Sequence, residues 1–386
     1  MKRKQRVLYV QYTTPAGYTI LGHGARMLAK RGWEVLFLGV DTIGSATKIK
    51  LQACEGVREK TLPYCPPGFK QKLHYIRYCF WVCWHALNWR ADAIYCSDRM
   101  VAPIGWFLSK IGRFRVVFHE HDPPRDSNGL FLRSIMRFRK CLATNAIVCI
   151  VPNQERVDKF VADVNPKNAM MVWNAVSVDE IRDECQHKLD GTLRLWYQGA
   201  LGPGQLPLSI VDAIAMTDGV EFAFAGYETF GTGSFVQQLL SRAESLGVSD
   251  RVRYVGTPAT RDDLYAASKG ADVGLVLFEI PFRDVMAGAS QKPFEYMAAG
   301  MAMLVPDLPE WERFTVSEGF GRSCLPNQPE SIARELAFFR DNRVKTREMG
   351  TAAQTRIRTN WNYESQFKPV VELLEATATN SGKGSK

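Results

Sequence analysis

Short apolar runs alternate with longer stretches of helical period along the whole chain, the pattern left by parallel sheets covered with helices. In the first half these runs predict strands at residues 7–11, 35–39, 93–96, 116–119, 146–151 and 170–173. In the second half they predict strands at 193–198, 221–225, 252–255, 273–278 and 301–305. Two Rossmann-like α/β domains follow. The polar stretch 177–191 separates the two sets, so residues 1–176 make one domain and 190–360 the other. A final helix is expected over 361–375, after the aromatic Trp361 and Tyr363, and the small polar residues 376–386 read as a disordered tail. Ligands on such sheets bind beyond the carboxyl ends of the strands. The strand-end loops are therefore where chemistry is sought.

Length and charge sharpen this picture. At 386 residues the chain is long enough for two cores. Residues 1–180 carry 27 Lys and Arg against 14 Asp and Glu, whereas the remainder carries 22 against 26. The basic surface belongs to the N-terminal half. Such a surface can meet nucleic acid, anionic lipid or a phosphorylated substrate. Zinc, RNA-recognition and helix-turn-helix signatures are all missing, so nucleic acid is not an expected partner. An anionic membrane or a lipid diphosphate ranks first. Residues 69–90 and 131–140 interleave bases with aromatics and read either as interfacial helices or as helices with an aromatic core stripe.

Nine cysteines, odd in number and scattered through apolar runs, read as reduced thiols of a cytoplasmic protein. The basic start, Met1 to Arg6, precedes an apolar run too short for a signal peptide, and no apolar run is long enough to span a bilayer. The expected location is the cytoplasm, at the inner face of the cytoplasmic membrane.

Three strand-end segments carry candidate chemistry. After the first strand, a loop from Tyr12 contains Gly17 and Tyr18, and its glycine permits close approach of backbone to a ligand. After the strand at 116–119 comes His119-Glu120-His121-Asp122, where alternation places the two histidines on one face and the two acids on the other. A metal site there would need a third ligand group, and none is spaced for it, so a polar wall for sugar hydroxyls is the better reading. The third segment is Ser290-Gln291-Lys292-Pro293-Phe294-Glu295-Tyr296-Met297-Ala298-Ala299-Gly300. Read as a helix, it has Ser290 as N-cap and Gly300 as stop, with Lys292 and Glu295 three apart on one face. That arrangement suits a diphosphate and a ribose hydroxyl; a core helix with a solvent-facing ion pair is the plainer alternative.

The third segment resembles the donor-binding helix of retaining glycosyltransferases of the GT-B fold, family 4. The strand and glycine loop Leu195 to Gln205, the His121-Asp122 pair and the segments around Val151, Trp173, Phe224 and Ala271 resemble family segments in the same order, across roughly residues 5–375. The resemblance implies two Rossmann-like domains with a cleft between them and a last helix returning to the first domain. It further implies transfer of a sugar from a nucleotide-sugar to an acceptor with retained configuration and without a metal or other cofactor. Glu295 would hold the ribose, and Lys292 with Gly199, Gln205, Gly226, Ser290 and Gln291 would line the donor. His121 and Asp122 would act at the sugar, and Gly17, Tyr18, His119 and Glu120 would face the acceptor. The acceptor would be a glycan or a lipid-linked precursor of a cell-surface polysaccharide or glycolipid.

Two departures stand out. Family members usually carry Arg or Lys near the positions of Ala200 and Gln205, and another glutamate where this chain has Ala287. Leaving-group charge would then fall to Lys292, the helix N-terminus or Arg283. A noncatalytic GT-B binding subunit of a glycan assembly, or a nucleotide-sugar epimerase, are the alternative functions.

Overall fold

The computed structural model describes residues 3–43, 50–112, 114–123, 129–182, 191–228, 233–278 and 286–381. These fall into two compact units, Met1–Asn174 with Tyr363–Lys386, and Ala175–Asn362.

The first unit is built on a seven-stranded sheet of β1 (Arg6–Val10), β2 (Glu34–Val40), β3 (Val57–Leu62), β4 (Ala93–Ser97), β5 (Arg115–His119), β6 (Val148–Val151) and β7 (Ala169–Met171). All pairings are parallel, in the order β3-β2-β1-β4-β5-β6-β7. Val7 to Val10 and Ala93 to Cys96 are wholly enclosed, as central strands covered on both faces require. Helices α1 (Thr19–Lys30), α2 (Phe69–Asn88), α3 (Ala102–Lys110), α4 (Leu130–Ala143) and α5 (Gln154–Val164) supply that cover. In α1, Ile20, Leu21, Ala25 and Leu28 recur at helical spacing and turn inward. Its end is set by Gly32, whose φ of +86° a residue with a Cβ adopts only at a cost. Asn153 caps α5 by accepting from the Arg156 backbone N–H at 2.9 Å.

The second unit carries a six-stranded parallel sheet of β8 (Leu193–Leu201), β9 (Val220–Glu228), β10 (Val252–Gly256), β11 (Val273–Leu275), β12 (Ala302–Pro306) and β13 (Gly321–Cys324), ordered β10-β9-β8-β11-β12-β13. Its helices are α6 (Ser209–Ala215), α7 (Phe235–Ser245), α8 (Arg261–Ala267), α9 (Lys292–Ala298), the single turn α10 (Pro309–Trp311), α11 (Pro329–Asp341) and α12 (Arg343–Arg356). The chain then returns to the first unit as α13 (Tyr363–Ser381), which packs on α1. There Arg31 pairs with Glu375 at 2.9 Å, and the Phe367 ring lies 6.2 Å from that of Tyr95. This helix runs past residue 375, through positions read as tail, while 382–386 lie outside the described residues.

Every predicted run contains a strand, and two strands arise where no run was visible. Both lie at sheet edges. In β3 the middle residues Arg58, Glu59 and Lys60 are exposed, so this edge strand has no continuous apolar run to betray it. In each sheet the strand order reverses once, between β1 and β4 and between β8 and β11. The crevices beyond those strand ends are the topological binding places of such sheets.

Candidate functional site

In the second unit the crevice opens where β8 and β9 carry paired glycines two residues before their ends. Gly199 and Gly226 are register partners with φ of +120° and +142°. A Cβ on Gly226 would lie 1.8 Å from the Gly199 carbonyl oxygen, so the two backbones come closer than any side chain allows. The Gly226 carbonyl accepts from Tyr254 Oη at 2.7 Å and Thr257 Oγ1 at 2.8 Å, which fixes the pair. Lys292 reaches across this bare backbone. Its Nζ lies 3.4 Å from the place a Gly199 Cβ would take and 5.2 Å from the ring centres of both Tyr197 and Phe278. The aromatic faces hold the ammonium beside the loop.

Glu295 stands on the same short helix and is buried. Gln198, in the last half of β8, donates its amide N–H to one carboxylate oxygen, and Arg261 donates to the other at 2.8 Å. Arg261 also pairs with Glu180 at 2.6 Å and donates to Tyr265 Oη at 3.0 Å. Burial alone would lower the Arg261 pKa; Glu295, Tyr265 and Glu180 more than offset it and hold the guanidinium charged. A carboxylate offers about four acceptor positions, so Glu295 keeps capacity for a hydroxyl beside its two protein donors. Tyr296 locks the helix to the sheet. Its ring lies where a Cβ on Gly274 would come within 2.3 Å, and its hydroxyl donates to the Leu275 carbonyl at 3.1 Å.

In the first unit the crevice between β1 and β4 is a cavity of about 240 Å³ lined by Tyr12, Thr13, Gly17, Tyr18, Ser97, Asp98 and Met100. Behind it lie the histidines. His121 stacks on Tyr18 with ring centres 3.9 Å apart, and its Nε2 meets Ser97 Oγ at 2.9 Å. His119 lies 4.0 Å from His121 between ring centres, with its Nδ1 at 2.8 Å from Tyr95 Oη. His119 Nε2 and His121 Nδ1 are buried without a hydrogen-bond partner. Burial drives His121 down to about 3, and burial together with the neighbouring ring drives His119 well below the usual imidazole range. Both rings are neutral at physiological pH. Asp98 is shifted the other way, upward, by burial and by Asp122.

Several expected site residues take different places. Glu120 does not face the cavity. It is buried on the opposite side of the strand end, where Arg139 grips both its oxygens and also pairs with Asp163. Removing Arg139 from such a pair would cost about 3–5 kcal/mol. Asp122 is largely exposed, 3.7 Å from Arg156. Ser290 does not cap α9. Gln291 holds that position with helical φ and ψ, because the Ser290 N–H closes a turn onto the Met286 carbonyl at 2.8 Å. With only seven residues, α9 has little dipole to offer an anion. Gln205 closes the loop after β8, its N–H bonding to the Gly202 carbonyl at 2.9 Å. Arg283 lies outside the described residues. Gln198, Arg261 and Glu180 were not foreseen, although a glutamine ending an apolar strand was a visible sign. Among the described residues, no three His, Cys, Asp or Glu side chains converge as a metal-ligand group.

This architecture is shared with known proteins. Residues 209–372 match the family described as glycosyl transferase-like. A glycosyltransferase from Rickettsia africae superposes with a TM-score of 0.75 at 11% identity, over 98% of this chain and 100% of that one. Sucrose-phosphate synthase from Thermosynechococcus elongatus gives 0.74 at 14%, over 98% and 100%. HepE from Anabaena, in complex with UDP, gives 0.71 at 17%, over 96% and 100%. No curated protein matches the chain in sequence. The chain therefore has the GT-B fold of two Rossmann-like units.

Proposed function

We propose that this chain is a retaining, metal-independent hexosyltransferase that moves a sugar from a nucleotide-sugar to a glycan or lipid-linked acceptor. Its pathway would be cell-surface polysaccharide or glycolipid synthesis in the cytoplasm. The observation that carries the donor site is the convergence at the end of β8, where Lys292 crosses the bare Gly199–Gly226 backbone and Glu295 is fixed by Gln198 one residue away. Glycines let a diphosphate approach, Lys292 offsets its charge, and the spare acceptor positions of Glu295 take ribose hydroxyls. Three relatives in fold fit this reading by what they bind or make: HepE with UDP and glucose, the trehalose-6-phosphate protein of E. coli with UDP-2-fluoro glucose, and WaaG, involved in lipopolysaccharide biosynthesis.

In the transfer the bond from the anomeric carbon to the diphosphate oxygen breaks, the acceptor hydroxyl oxygen bonds to that carbon, and its proton passes to the departing diphosphate. The diphosphate departs with its negative charge, which Lys292 is placed to compensate without a metal. Retention rests on the likeness of residues 290–300 to the family 4 segment. The cavity of the first unit is backed by the neutral His119–His121 pair and lined by hydroxyls of Tyr12, Thr13, Tyr18 and Ser97, groups that can bond a sugar, and we assign the acceptor to it. A noncatalytic binding subunit is the second reading, favoured by the uncharged Ala200, Gln205 and Ala287.

Thermal-shift measurements with UDP-, GDP-, ADP- and dTDP-sugars test the site. One donor should stabilise the protein by about 2–3 kcal/mol at a hundred times its Kd, and Glu295→Ala should abolish most of that gain. No stabilisation by any nucleotide sinks the reading. Slow hydrolysis of the stabilising donor separates an enzyme from a binding subunit. An inverted anomer by NMR would overturn retention, and loss of turnover in EDTA would overturn metal independence.

A further inference from the structure

Helix α2 has two apolar faces, and only one is covered. Tyr75, Tyr78, Val82 and Ala86 turn into the core. On the opposite side Phe69, Leu73, Ile76, Phe80, Trp84 and Leu87 stand in solvent, with Phe69 and Phe80 each 74% exposed. These six advance by about 3.6 residues per step, so they form a straight stripe along an axis of about 30 Å. Exposed Lys70 and Arg77 flank the stripe on one side and exposed Lys72 on the other. No acidic residue occurs between Glu59 and Asp92. A continuous apolar row of this length marks a binding surface, because scattered exposure would not keep to one helical face.

We propose that this face of α2 docks the protein on an anionic lipid bilayer. The large Phe and Trp side chains would enter the boundary between headgroups and acyl chains, while the lysines and Arg77 keep their charges among anionic headgroups. A second copy of the chain fits the face poorly. A two-fold interface sets a patch against itself, and here it would oppose bases to bases with no acid to neutralise them. The stripe also follows the 3.6-residue period of a straight helix, suited to a plane, rather than the 3.5-residue period of a coiled coil. No helix of the described residues is long and apolar enough to cross a membrane, so the contact would be peripheral.

Docking would also place the acceptor cavity at the membrane. Tyr12 lines that cavity, its hydroxyl lies 3.0 Å from His74 Nδ1 of α2, and its ring packs edge-on against Tyr75 and Tyr78 at 5.1 and 5.0 Å. Phe131, opening α4, packs edge-on against Tyr75 at 5.4 Å and continues the apolar surface. An acceptor carried by a lipid would then meet the cavity from the bilayer. The docking itself stands on the surface alone and can fail while the transferase reading holds.

Vesicle co-sedimentation of the full chain tests it, using phosphatidylcholine alone and phosphatidylcholine mixed with phosphatidylglycerol. Binding is expected to the mixed vesicles at low salt, weaker in high salt and on phosphatidylcholine alone. The triple change K70Q/K72Q/R77Q should weaken partition about a hundredfold, at roughly fivefold per charge. The pair Phe80→Ser and Trp84→Ser should abolish it without altering the thermal shift by nucleotide-sugar. Should that pair impair folding, the triple variant, which touches only exposed charges, decides alone. No partition of the wild type, or partition unchanged in the triple variant, overturns the proposal. So does a dimer in light scattering that the Phe80 and Trp84 changes convert to monomer.

Discussion

The two strand-order reversals sit at equivalent places in two parallel sheets, yet their crevices are walled by different chemistry. Beyond β8 and β11 the wall is ionic, with Glu295, Arg261 and Glu180 linked through short ion pairs and Lys292 beside Gly199. Beyond β1 and β4 the histidine wall is neutral, because burial strips charge from His119 and His121, and burial also raises the pKa of Asp98, the acid lining the cavity. One topology thus supplies two binding places, and the side chains at the strand ends decide what each can hold. The ionic crevice suits a diphosphate and the histidine-backed one a glycan.

The strongest way to break this contrast is to remove its cation. If Lys292 is what compensates the leaving diphosphate, Lys292→Ala should lower the transfer rate by about 10²–10³, equivalent to roughly 3–4 kcal/mol of transition-state stabilisation. Folding should persist, since Tyr296 holds the helix against Gly274. Single-turnover kinetics on radiolabelled donor give the number. A loss of less than tenfold would mean that the charge is supplied elsewhere, and the ionic crevice would lose its assigned role.

A second prediction concerns the histidine-backed crevice. Between about pH 3 and the unfolded histidine pKa near 6.5, the unfolded chain binds a proton that folded His121 refuses, so stability rises with pH across that window. As the pH falls below about 6.5, each such histidine costs up to about 1.4 kcal/mol per unit, and His119 adds to the loss in the same direction. Urea unfolding at stepped pH should show the wild type losing stability on acidification, and His121→Asn losing distinctly less. Parallel curves for the two proteins would show that His121 titrates normally and that the crevice is not dry.

The sheets were legible in the sequence because their central strands are short, largely apolar runs. Residues 57–62 hid in a polar edge strand, and 321–324 in another edge. The glycine loop and the acid and base of α9 were legible too, since spacing alone sets them on one element. Their partners were not. Glu295 is held by residues 34 and 97 positions away, and Glu120 by one 19 positions away, on elements whose approach only tertiary packing determines. The burial that neutralises the histidines is likewise a property of Tyr18 and Ser97 closing over them. Alternation placed both histidines correctly on one face, but it could not tell a solvent-facing wall from a dry one.

The smallest expected effect is the most discriminating between an enzyme and a binding subunit. Gln205 ends a tight loop beside Gly202 and is only partly buried, so a longer cationic side chain has room to extend. Gln205→Lys would add to this loop one of the charges that family 4 proteins usually carry there. If Lys292 already compensates the diphosphate, the second cation is partly redundant, and the gain should be about 1 kcal/mol at most, near fivefold, falling as salt is raised. That modest gain should appear in the transfer rate as well as in nucleotide affinity, because the charge develops on the leaving group. A variant that binds nucleotide more tightly but transfers no faster would place the site on the binding side of the comparison. A gain of a hundredfold or more would mean that the ionic crevice of the wild type is electrostatically incomplete.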